Sequence, residues 1–318
     1  MAVLLAATAA APAAAKGTIT TFEAPNRNRT YAYAINGAGA IAGFASQRRK
    51  STVGFVRAPD AKITEFSVEG ASDTSAYAIN RHGAVAGSCY ISGWHGFVRT
   101  SDGTITTFDP PGATWTTATG INEGGGISGE FEDGTSPIHG FFRAADGTIT
   151  TFDPPGSTET SVTSINATGA IAGDYQDASG VTHGFVRTPD GTITTFDPSG
   201  ATATLVAAIN SPGAIAGYFV DSSNVVHGFV RAPDGTFTTF DPKGSLRTMS
   251  TAINDKGAIT GFFSGYKAWH GFVRSAGGRI TTFDVPNERY TQAMGIDDKG
   301  AITGTTAGHP VQGFVRTP

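Results

Sequence analysis

Short runs of apolar residues and threonines, separated by turns that contain glycine, fill the chain from residue 17 to residue 318. The runs recur with a period of 42–44 residues, which is marked by the tetrapeptide Gly-Phe-(Val/Phe)-Arg. This tetrapeptide starts at Gly54, Gly96, Gly140, Gly184, Gly228, Gly271 and Gly313. A repeat of this length built from four short strands is typical of a β-propeller. We therefore predict an all-β, seven-bladed β-propeller in which residues 16–318 form a single domain.

The fourth unit shows how turns divide a repeat into strands. Its predicted strands are A (161–166), B (170–175), C (182–188) and D (192–197). Pro189 and Gly191 indicate a turn between strands C and D, because proline favours the first position of a turn and glycine the last. A glycine equivalent to Gly169 marks the A–B turn in every unit. Because both turns are short and repeated, we expect no ligand site at either of them.

The two ends of the chain complement each other. Residues 18–23 resemble a D strand, whereas residues 311–317 resemble a C strand. We predict that the N-terminal segment supplies the outer strand of the last blade, which closes the ring and leaves no open sheet edge. Without an edge to pair, we expect a monomer.

Histidine and aspartate change together along the repeat. The C–D hairpin places His183 opposite Asp197 and Gly184 opposite Phe196. The other pairs are His95–Asp109, His139–Asp153, His227–Asp241 and His270–Asp284, while the end blades have Val53–Ser67 and Gln312–Glu23. With ~4.8 Å between strands, histidines of adjacent blades lie on the order of 15 Å apart, too far to share an ion. We interpret the pairs, and the seven repeated arginines, as scaffold.

Composition excludes several functions. A net charge of −4 with 15% charged residues argues against nucleic-acid or membrane-surface binding. No stretch reaches the ~20 apolar residues of a membrane span. The only cysteine, Cys89, excludes an intrachain disulfide and is interpreted as packing. Residues 1–15 are apolar and end in three alanines, which predicts a signal peptide and a secreted protein, extracellular or periplasmic. A disordered tail is the alternative.

At His-Gly-Phe the chain resembles the bacterial extracellular repeat proteins named HAF after their His-Ala-Phe-type signature. The motif stands at 95–97, 139–141, 183–185, 227–229 and 270–272, and the end blades replace His-Gly by Val53-Gly54 and Gln312-Gly313. The resemblance spans residues 17–318 and implies a secreted propeller without implying an activity. A fainter similarity, through residues 63–66 (Ile-Thr-Glu-Phe) and their equivalents, links the chain to the seven-bladed streptogramin lyases, whose catalytic His/Glu set has no match here.

The variable positions lie at the face formed by the B–C loops and the D-to-A connections. A threonine recurs near the start of strand A, at Thr30, Thr74, Thr116, Thr160, Thr204, Thr248 and Thr291. The residue before it varies, through Arg29, Asp73, Trp115, Glu159, Ala203, Arg247 and Tyr290. A constant residue beside a variable one indicates a fixed backbone that presents chosen side chains. Because strand A is innermost, we expect these side chains to ring the mouth of the central channel.

Charge divides this face into two arcs. The basic arc contains Arg247, Tyr290 and Arg29 with Arg48, Arg49, Lys50, Tyr266, Lys267 and Trp269, and the acidic arc contains Asp73, Trp115 and Glu159 with Glu130, Glu132, Asp133, Asp174 and Asp177. Two arginines beside a tyrosine suit a carboxylate, sulfate or phosphate, and Trp115 suits a sugar or aromatic ring. The alternative is that these are loop residues that vary without function.

Three functions remain open. The first is a secreted binding propeller with an anionic glycan or another small anion at the mouth. The second is a lyase or hydrolase of an extracellular glycan, with Asp73 and Glu159 as acid and base. Their separation by two blades exceeds the roughly 6.5–9.5 Å that inverting glycosidases need. The third is a protein-interaction platform that uses Tyr90, Trp94, Tyr266 and Trp269.

No cofactor is predicted from the sequence. A metal ion on the channel axis or in a loop is left open. Asp174 and Asp177 form an acidic pair in one B–C loop, which we interpret as solvating that loop or binding Ca²⁺ weakly.

Overall fold

The computed structural model of the protein describes residues 17–47, 51–134 and 137–318, so the predicted signal peptide at 1–15 lies outside the described residues. Within these ranges the chain forms 28 strands and no helix. We number the repeats as units 1–7 and keep the letters A–D for the strands of each unit.

In the order A to D, the strands are β2 (Arg29–Ile35), β3 (Ile41–Ser46), β4 (Val53–Arg57) and β5 (Ile63–Phe66) in unit 1; β6 (Asp73–Ile79), β7 (Val85–Tyr90), β8 (Trp94–Arg99) and β9 (Ile105–Phe108) in unit 2; β10 (Trp115–Ile121), β11 (Ile127–Glu132), β12 (Ile138–Arg143) and β13 (Ile149–Phe152) in unit 3; β14 (Ser157–Ile165), β15 (Ile171–Asp177), β16 (Thr182–Arg187) and β17 (Ile193–Phe196) in unit 4; β18 (Ala201–Ile209), β19 (Ile215–Asp221), β20 (Val226–Arg231) and β21 (Phe237–Phe240) in unit 5; β22 (Arg247–Ile253), β23 (Ile259–Ser264), β24 (Trp269–Arg274) and β25 (Ile280–Phe283) in unit 6; and β26 (Thr291–Ile296), β27 (Ile302–Thr306), β28 (Gly313–Arg316) and β1 (Ile19–Phe22) in unit 7.

Each unit is an antiparallel four-stranded sheet in the order A-B-C-D. In unit 7 the D strand is β1, which pairs with β28 so that Phe22 lies opposite Gly313, as the sequence predicts. The predicted strands of unit 4 match the observed ones to within one residue, with two exceptions: strand A begins at Ser157, four residues early, and strand B ends at Asp177, two residues late. A bulge between Ser157 and Glu159 lets these two extensions pair. The described residues contain no helix that is long and apolar enough to cross a membrane.

The repeated tetrapeptide builds both the core of each unit and the contact with the next unit. Its phenylalanine is fully buried in all seven units, at Phe55, Phe97, Phe141, Phe185, Phe229, Phe272 and Phe314. Its glycine leaves space for the D-strand phenylalanine: a Cβ at Gly271 would lie only 2.7 Å from Phe283 Cε2. The arginine of the next unit covers the other face of that ring, with Arg316 Cζ 5.0 Å from the centroid of Phe283.

All seven arginines make this cation–π contact, at 4.9–5.0 Å, including Arg57 of unit 1 over Phe22 of unit 7. Each is worth about 0.5–1 kcal/mol at an exposed site and more where the groups are desolvated. The arginines connect successive units, which agrees with their interpretation as scaffold.

The predicted histidine–aspartate pairs are present. In all five, His Nδ1 lies 2.7–2.8 Å from a carboxylate oxygen, and Gln312 Nε2 donates a 2.7 Å hydrogen bond to Glu23. In unit 4, Asp197 also accepts a hydrogen bond from the Thr204 hydroxyl at the start of the next strand A. The pairs therefore tie strand C to strand D, and those of units 3, 4 and 5 also tie them to strand A of the following unit, which is a structural role.

Cys89 is buried in the core of unit 2. Burial, with a smaller effect from Asp109, raises the pKa of its thiol to about 11. A thiol that stays protonated is a poor nucleophile, in agreement with its interpretation as packing.

Candidate functional site

In six of the seven units a hydrogen bond of the recurring threonine fixes the start of strand A, whereas the buried Thr116 hydroxyl of unit 3 has no partner among the described residues. All seven recurring threonines are fully buried. In units 1, 2 and 7 the hydroxyl accepts a hydrogen bond from a backbone N–H six residues earlier, as from Ala24 to Thr30 at 2.9 Å. In units 4, 5 and 6 it donates to an aspartate, as from Thr160 to Asp153 at 2.6 Å. The backbone that carries the variable residue is thus set by the scaffold.

The variable residues lie at the junctions between units. Five of them form a parallel bridge with the start of strand C of the preceding unit: Arg29 with Val311, Asp73 with Thr52, Trp115 with Trp94, Arg247 with Val226 and Tyr290 with Trp269. The start of strand A therefore lies between its own strand B and a neighbouring strand C. The expectation that these side chains ring the mouth of the central channel stays a prediction.

The basic arc exposes aromatic and aliphatic groups beside its charges. Tyr266 is 90% exposed and Leu246 57% exposed, while the Trp269 ring packs 5.0 Å from that of Phe262. Arg247 is exposed and Arg29 half-buried, and within the described chain neither forms an ion pair. Arg48, Arg49 and Lys50 lie outside the described residues. The two guanidinium groups and the rings remain available to a ligand.

Asp73 is already bound by its own surroundings. Its carboxylate accepts hydrogen bonds of 3.0 Å from the Thr52 N–H and from the Ser72 hydroxyl. Partial burial raises the pKa of Asp73, but these hydrogen bonds outweigh burial and hold the pKa below its usual range. An ionised carboxylate has no proton to donate, so Asp73 is unsuited to the acid role suggested for it.

A second pair of carboxylates meets around a small cavity in unit 4. The cavity, about 90 Å³ in volume, is lined by Glu159, Ser161, Asp174, Tyr175, Gln176 and Thr182. Asp174 Oδ2 accepts a 3.0 Å hydrogen bond from Val206 N–H of unit 5. Burial, the main cause, raises the pKa of Asp174 to about 7; the hydrogen bond lowers it, and the charges of Glu130 and Glu159 raise it. Asp174 is therefore partly protonated at neutral pH.

This location corrects the interpretation of Asp174 as part of a solvated loop pair with Asp177. Asp174 lies within β15 and faces the next unit, whereas Asp177 ends that strand and lies 3.5 Å from His183 Nε2. Glu130 occupies the equivalent position in β11, where it accepts a 3.2 Å hydrogen bond from Val162 N–H, and burial raises its pKa. The predicted acidic arc contains both Asp174 and Glu130 but assigns them to the B–C loops, whereas both lie within strand B.

The opposite face holds a larger cavity, where no site was expected. Its volume is about 420 Å³, and it lies where the A strands end. The lining includes the isoleucine that ends strand A in each unit and, in every unit except unit 2, the polar residue that follows it. It also includes Gly37, Arg81, Glu123, Ala167, Ser211, Asp255 and Asp298. Each A–B turn is too tight to form a site by itself, but the ends of the A strands together surround this cavity.

No cluster of side chains suggests a metal centre of the usual kind. Within residues 17–47, 51–134 and 137–318, no three His, Cys, Asp or Glu residues are placed to hold an ion together.

Comparison with known proteins assigns the fold. No family model and no curated protein sequence matches the chain. Among solved structures, it is similar to a catalytically inactive His-to-Ala variant of virginiamycin B lyase from Staphylococcus aureus with quinupristin, with a TM-score of 0.66 and 16% identity over 95% of this chain and 100% of that chain. It is also similar to a streptogramin B lyase, with a TM-score of 0.63 and 14% identity over 95% of this chain and 98% of that chain. A third similar structure is the β-propeller domain of Cps50 (Swd1) from Myceliophteria thermophila, with a TM-score of 0.59 and 10% identity over 95% of this chain and 100% of that chain.

These similarities define the protein as a β-propeller built from four-stranded sheets. Identities of 10–16% show the fold alone. The faint sequence similarity to streptogramin lyases thus reappears as a shared architecture, and function has to be argued from the site.

Proposed function

We propose that the protein is a secreted, closed seven-bladed propeller of the HAF kind that binds a ligand without chemical conversion. The pairing of β1 with β28 supports closure. Units 7 and 1 also meet directly, through a 2.9 Å hydrogen bond from Thr30 N–H to the Val311 carbonyl and one of 3.3 Å from Ala32 N–H to the Thr305 hydroxyl.

One observation carries the binding role: a fully buried threonine recurs seven times beside a residue whose chemistry changes along the repeats. The proposed ligand-binding residues are Arg29, Asp73, Trp115, Glu159, Arg247 and Tyr290. The parallel bridges that five of them form with the preceding unit support this assignment. A scaffold that fixes the backbone lowers the entropy cost of ordering such side chains around a ligand.

The ligand class follows from the basic arc. Arg247, Tyr290 and Arg29 belong to the consecutive units 6, 7 and 1, and Tyr266 of unit 6 is largely exposed. Guanidinium groups bind carboxylates and sulfates through paired hydrogen bonds, and aromatic faces stack on sugar rings. We propose an anionic glycan or a related small anion as the ligand.

The test is a binding screen of the protein against sulfated, uronic-acid and neutral oligosaccharides. We expect binding of the acidic members that weakens with salt and is lost in the double variant Arg29→Ala with Arg247→Ala. The matched control is Lys62→Ala with Arg279→Ala, which removes two exposed cations from the C–D hairpins. Equal loss of binding in both double variants would mean that binding depends on the net charge of the protein and not on Arg29 and Arg247. Absence of any glycan binding would favour a protein partner on the same face.

A second candidate function, a lyase or hydrolase, is favoured by the cavity of Glu159 and Asp174. Two carboxyl groups in different environments are the usual arrangement for acid–base catalysis on glycosides. In hydrolysis, Asp174 gives its proton to the leaving oxygen as the glycosidic bond breaks. Glu159 accepts a proton from the water that attacks the sugar carbon. In elimination, the Glu159 carboxylate instead removes a proton from the carbon adjacent to the one that carries the leaving oxygen; a C=C bond forms as the C–O bond breaks, and Asp174 protonates the leaving oxygen.

Product-release assays on the same oligosaccharides test this candidate. Activity is expected to fall as pH rises through about 7, because Asp174 then loses the proton that it must donate. Asp174→Asn is expected to remove activity and Asp177→Asn, outside the cavity, to retain it. Turnover that survives Asp174→Asn would exclude this mechanism.

A further inference from the structure

A row of aromatic side chains crosses the junction between units 2 and 3. The strand register pairs Tyr90 of β7 with Trp94 of β8, and Trp94 with Trp115 of β10. The row ends in a carboxylate on either side, because Asp73 pairs with Tyr90 and Glu132 pairs with Trp115. Residues that pair directly across strands point to the same side of a sheet, with Cβ atoms about 4.5–5.5 Å apart. Three aromatic rings therefore lie side by side between two carboxylates, and we call these five residues the acidic row.

The rings of Tyr90 and Trp94 meet at a large angle. Their centroids are 5.5 Å apart and their planes are inclined by 70°. Tyr90 is 39% exposed and the neighbouring Ile91 43% exposed, whereas Trp94 and Trp115 are half-buried. The faces of aromatic rings carry negative potential and attract cations, and rings set at an angle enclose an alkylammonium group from two sides. A sugar ring stacks instead on one open, flat face, so this corner suits an organic cation better than a sugar.

The negative charge of the acidic row is not neutralised by its own units. Among the described residues, the Asp73 carboxylate accepts hydrogen bonds only from uncharged groups, and the Glu132 carboxylate makes no hydrogen bond or ion pair. The arginines of units 2 and 3 lie at the other end of the strands. Arg99 and Arg143 end β8 and β12, and Arg81 lines the cavity on the opposite face. The aromatic rings are therefore accompanied by negative charge alone.

The other long sheet has an equivalent row with the opposite charge. Its register pairs Arg247 with Ser264, Ser264 with Trp269, and Trp269 with Tyr290. We call these four residues the basic row. Trp269 begins strand C as Trp94 does, but an arginine replaces the aspartate and a serine replaces the tyrosine of the corner. Of the two rows, the acidic one combines the corner of rings with carboxylates.

We propose that the acidic row binds a small organic cation of the alkylammonium class, with its charged group in the corner between Tyr90 and Trp94. Trp115 extends the apolar contact, and Asp73 and Glu132 supply the opposite charge. This site goes beyond the proposed anion site because it takes a group of opposite charge, although Asp73 and Trp115 belong to both sets of residues.

A calorimetric titration of the protein with choline chloride tests the proposal. The matched ligand is the uncharged analogue of choline in which a tert-butyl group replaces the trimethylammonium group, so that the shape is kept and the charge is removed. Trp94→Ala removes one wall of the corner, and Glu132→Gln removes a carboxylate without breaking a hydrogen bond. Glu132 is chosen over Asp73 because the basic residues 48–50 precede Thr52, the bridge partner of Asp73 in unit 1.

Two controls match these variants. Trp269→Ala removes the equivalent tryptophan of the basic row, and Asp60→Asn removes an exposed carboxylate at a C–D turn. Circular dichroism checks that every variant is folded. The glycan screen uses different ligands, so failure of anion binding there and failure of choline binding here are separate results.

We expect about one choline to bind per chain, and its uncharged analogue to bind far more weakly. Binding of choline is expected to weaken about tenfold in Trp94→Ala and about two- to fivefold in Glu132→Gln, and to stay unchanged in both controls. Absence of choline binding to the wild type would overturn the proposal. Equal affinity for the uncharged analogue would also overturn it, because the contact would then be merely apolar. A loss in Trp269→Ala as large as that in Trp94→Ala would contradict the choice of row.

Discussion

The two ends of strand A show different uses of the same repeat. At the end of the strand, six units have the same asparagine, and in five of them its amide joins the unit to the next one. At the start of the strand, the threonine is constant but its neighbour changes from arginine to aspartate, tryptophan, glutamate, alanine and tyrosine. One end therefore preserves the side chain that joins the units, whereas the other end preserves a buried threonine and varies the side chain beside it. Substitutions at the first end are expected to affect stability, and those at the second end to affect binding.

The largest expected effect comes from the tetrapeptide core that both ends depend on. Phe185→Ala removes a fully buried ring from unit 4. Loss of its contacts and the cavity left behind are expected to cost about 3–5 kcal/mol in the free energy of unfolding. Chemical denaturation measures this value. Arg247→Ala, at the variable end, provides the contrast and is expected to change stability by less than about 0.5 kcal/mol. Similar losses in both variants would contradict the division between scaffold and presented side chains.

The features that recur in each repeat could be predicted from the sequence. The strand order, the pairing of Gly184 with Phe196 and the His–Asp pairs follow from the short C–D turn, since a hairpin turn sets the register of its strands. The outer strand from the N-terminus followed from the unequal chain ends.

The sequence did not predict features that arise between units. The cavity at the ends of the A strands results from seven turns placed around a common space, so no single turn reveals it. Asp174 and Glu130 point from strand B to a backbone N–H of the next unit, and the A strands carry bulges near these contacts. A bulge changes which N–H groups are free, and single-strand patterns do not show it.

A smaller effect is expected at the end of strand A. Asn210→Ala removes the 3.0 Å hydrogen bond to the Asn254 carbonyl and the 2.8 Å bond accepted from Ala214 N–H. Because Asn210 is buried, its partners are left without a replacement, and we expect a loss of about 1–3 kcal/mol. Ser211→Ala is the control for loss of an exposed bond between the same two units, because the Ser211 hydroxyl donates a 2.8 Å hydrogen bond to Asp255. A loss at Asn210 no greater than at Ser211 would mean that the asparagine amides do not hold the units together.

The smallest expected effect is the pH-dependent contribution of two histidines to stability. These histidines, in units 4 and 5, differ from those of the other units because each lies near a second aspartate. His183 has Asp197 2.7 Å from Nδ1 and Asp177 3.5 Å from Nε2, and His227 has the same arrangement with Asp241 and Asp221. The hydrogen bond to Asp197 is the main cause that raises the pKa of His183; burial opposes it and Asp177 adds to it. The stabilising contribution is therefore complete below the unfolded value of about 6.5 and is lost as pH rises through the folded pKa.

Both imidazoles are partly exposed, so each contribution is expected to stay below about 1 kcal/mol. The sharper measurement is an NMR titration of the imidazole protons in the wild type and in Asp177→Asn. Asparagine can still accept the turn hydrogen bonds from Ser179 N–H and Val181 N–H, so the backbone is retained. The pKa of His183 is expected to fall in this variant, while His227, whose two carboxylates are untouched, serves as the internal reference. A fall of both values, or of neither, would show that the second carboxylate does not act locally on the histidine.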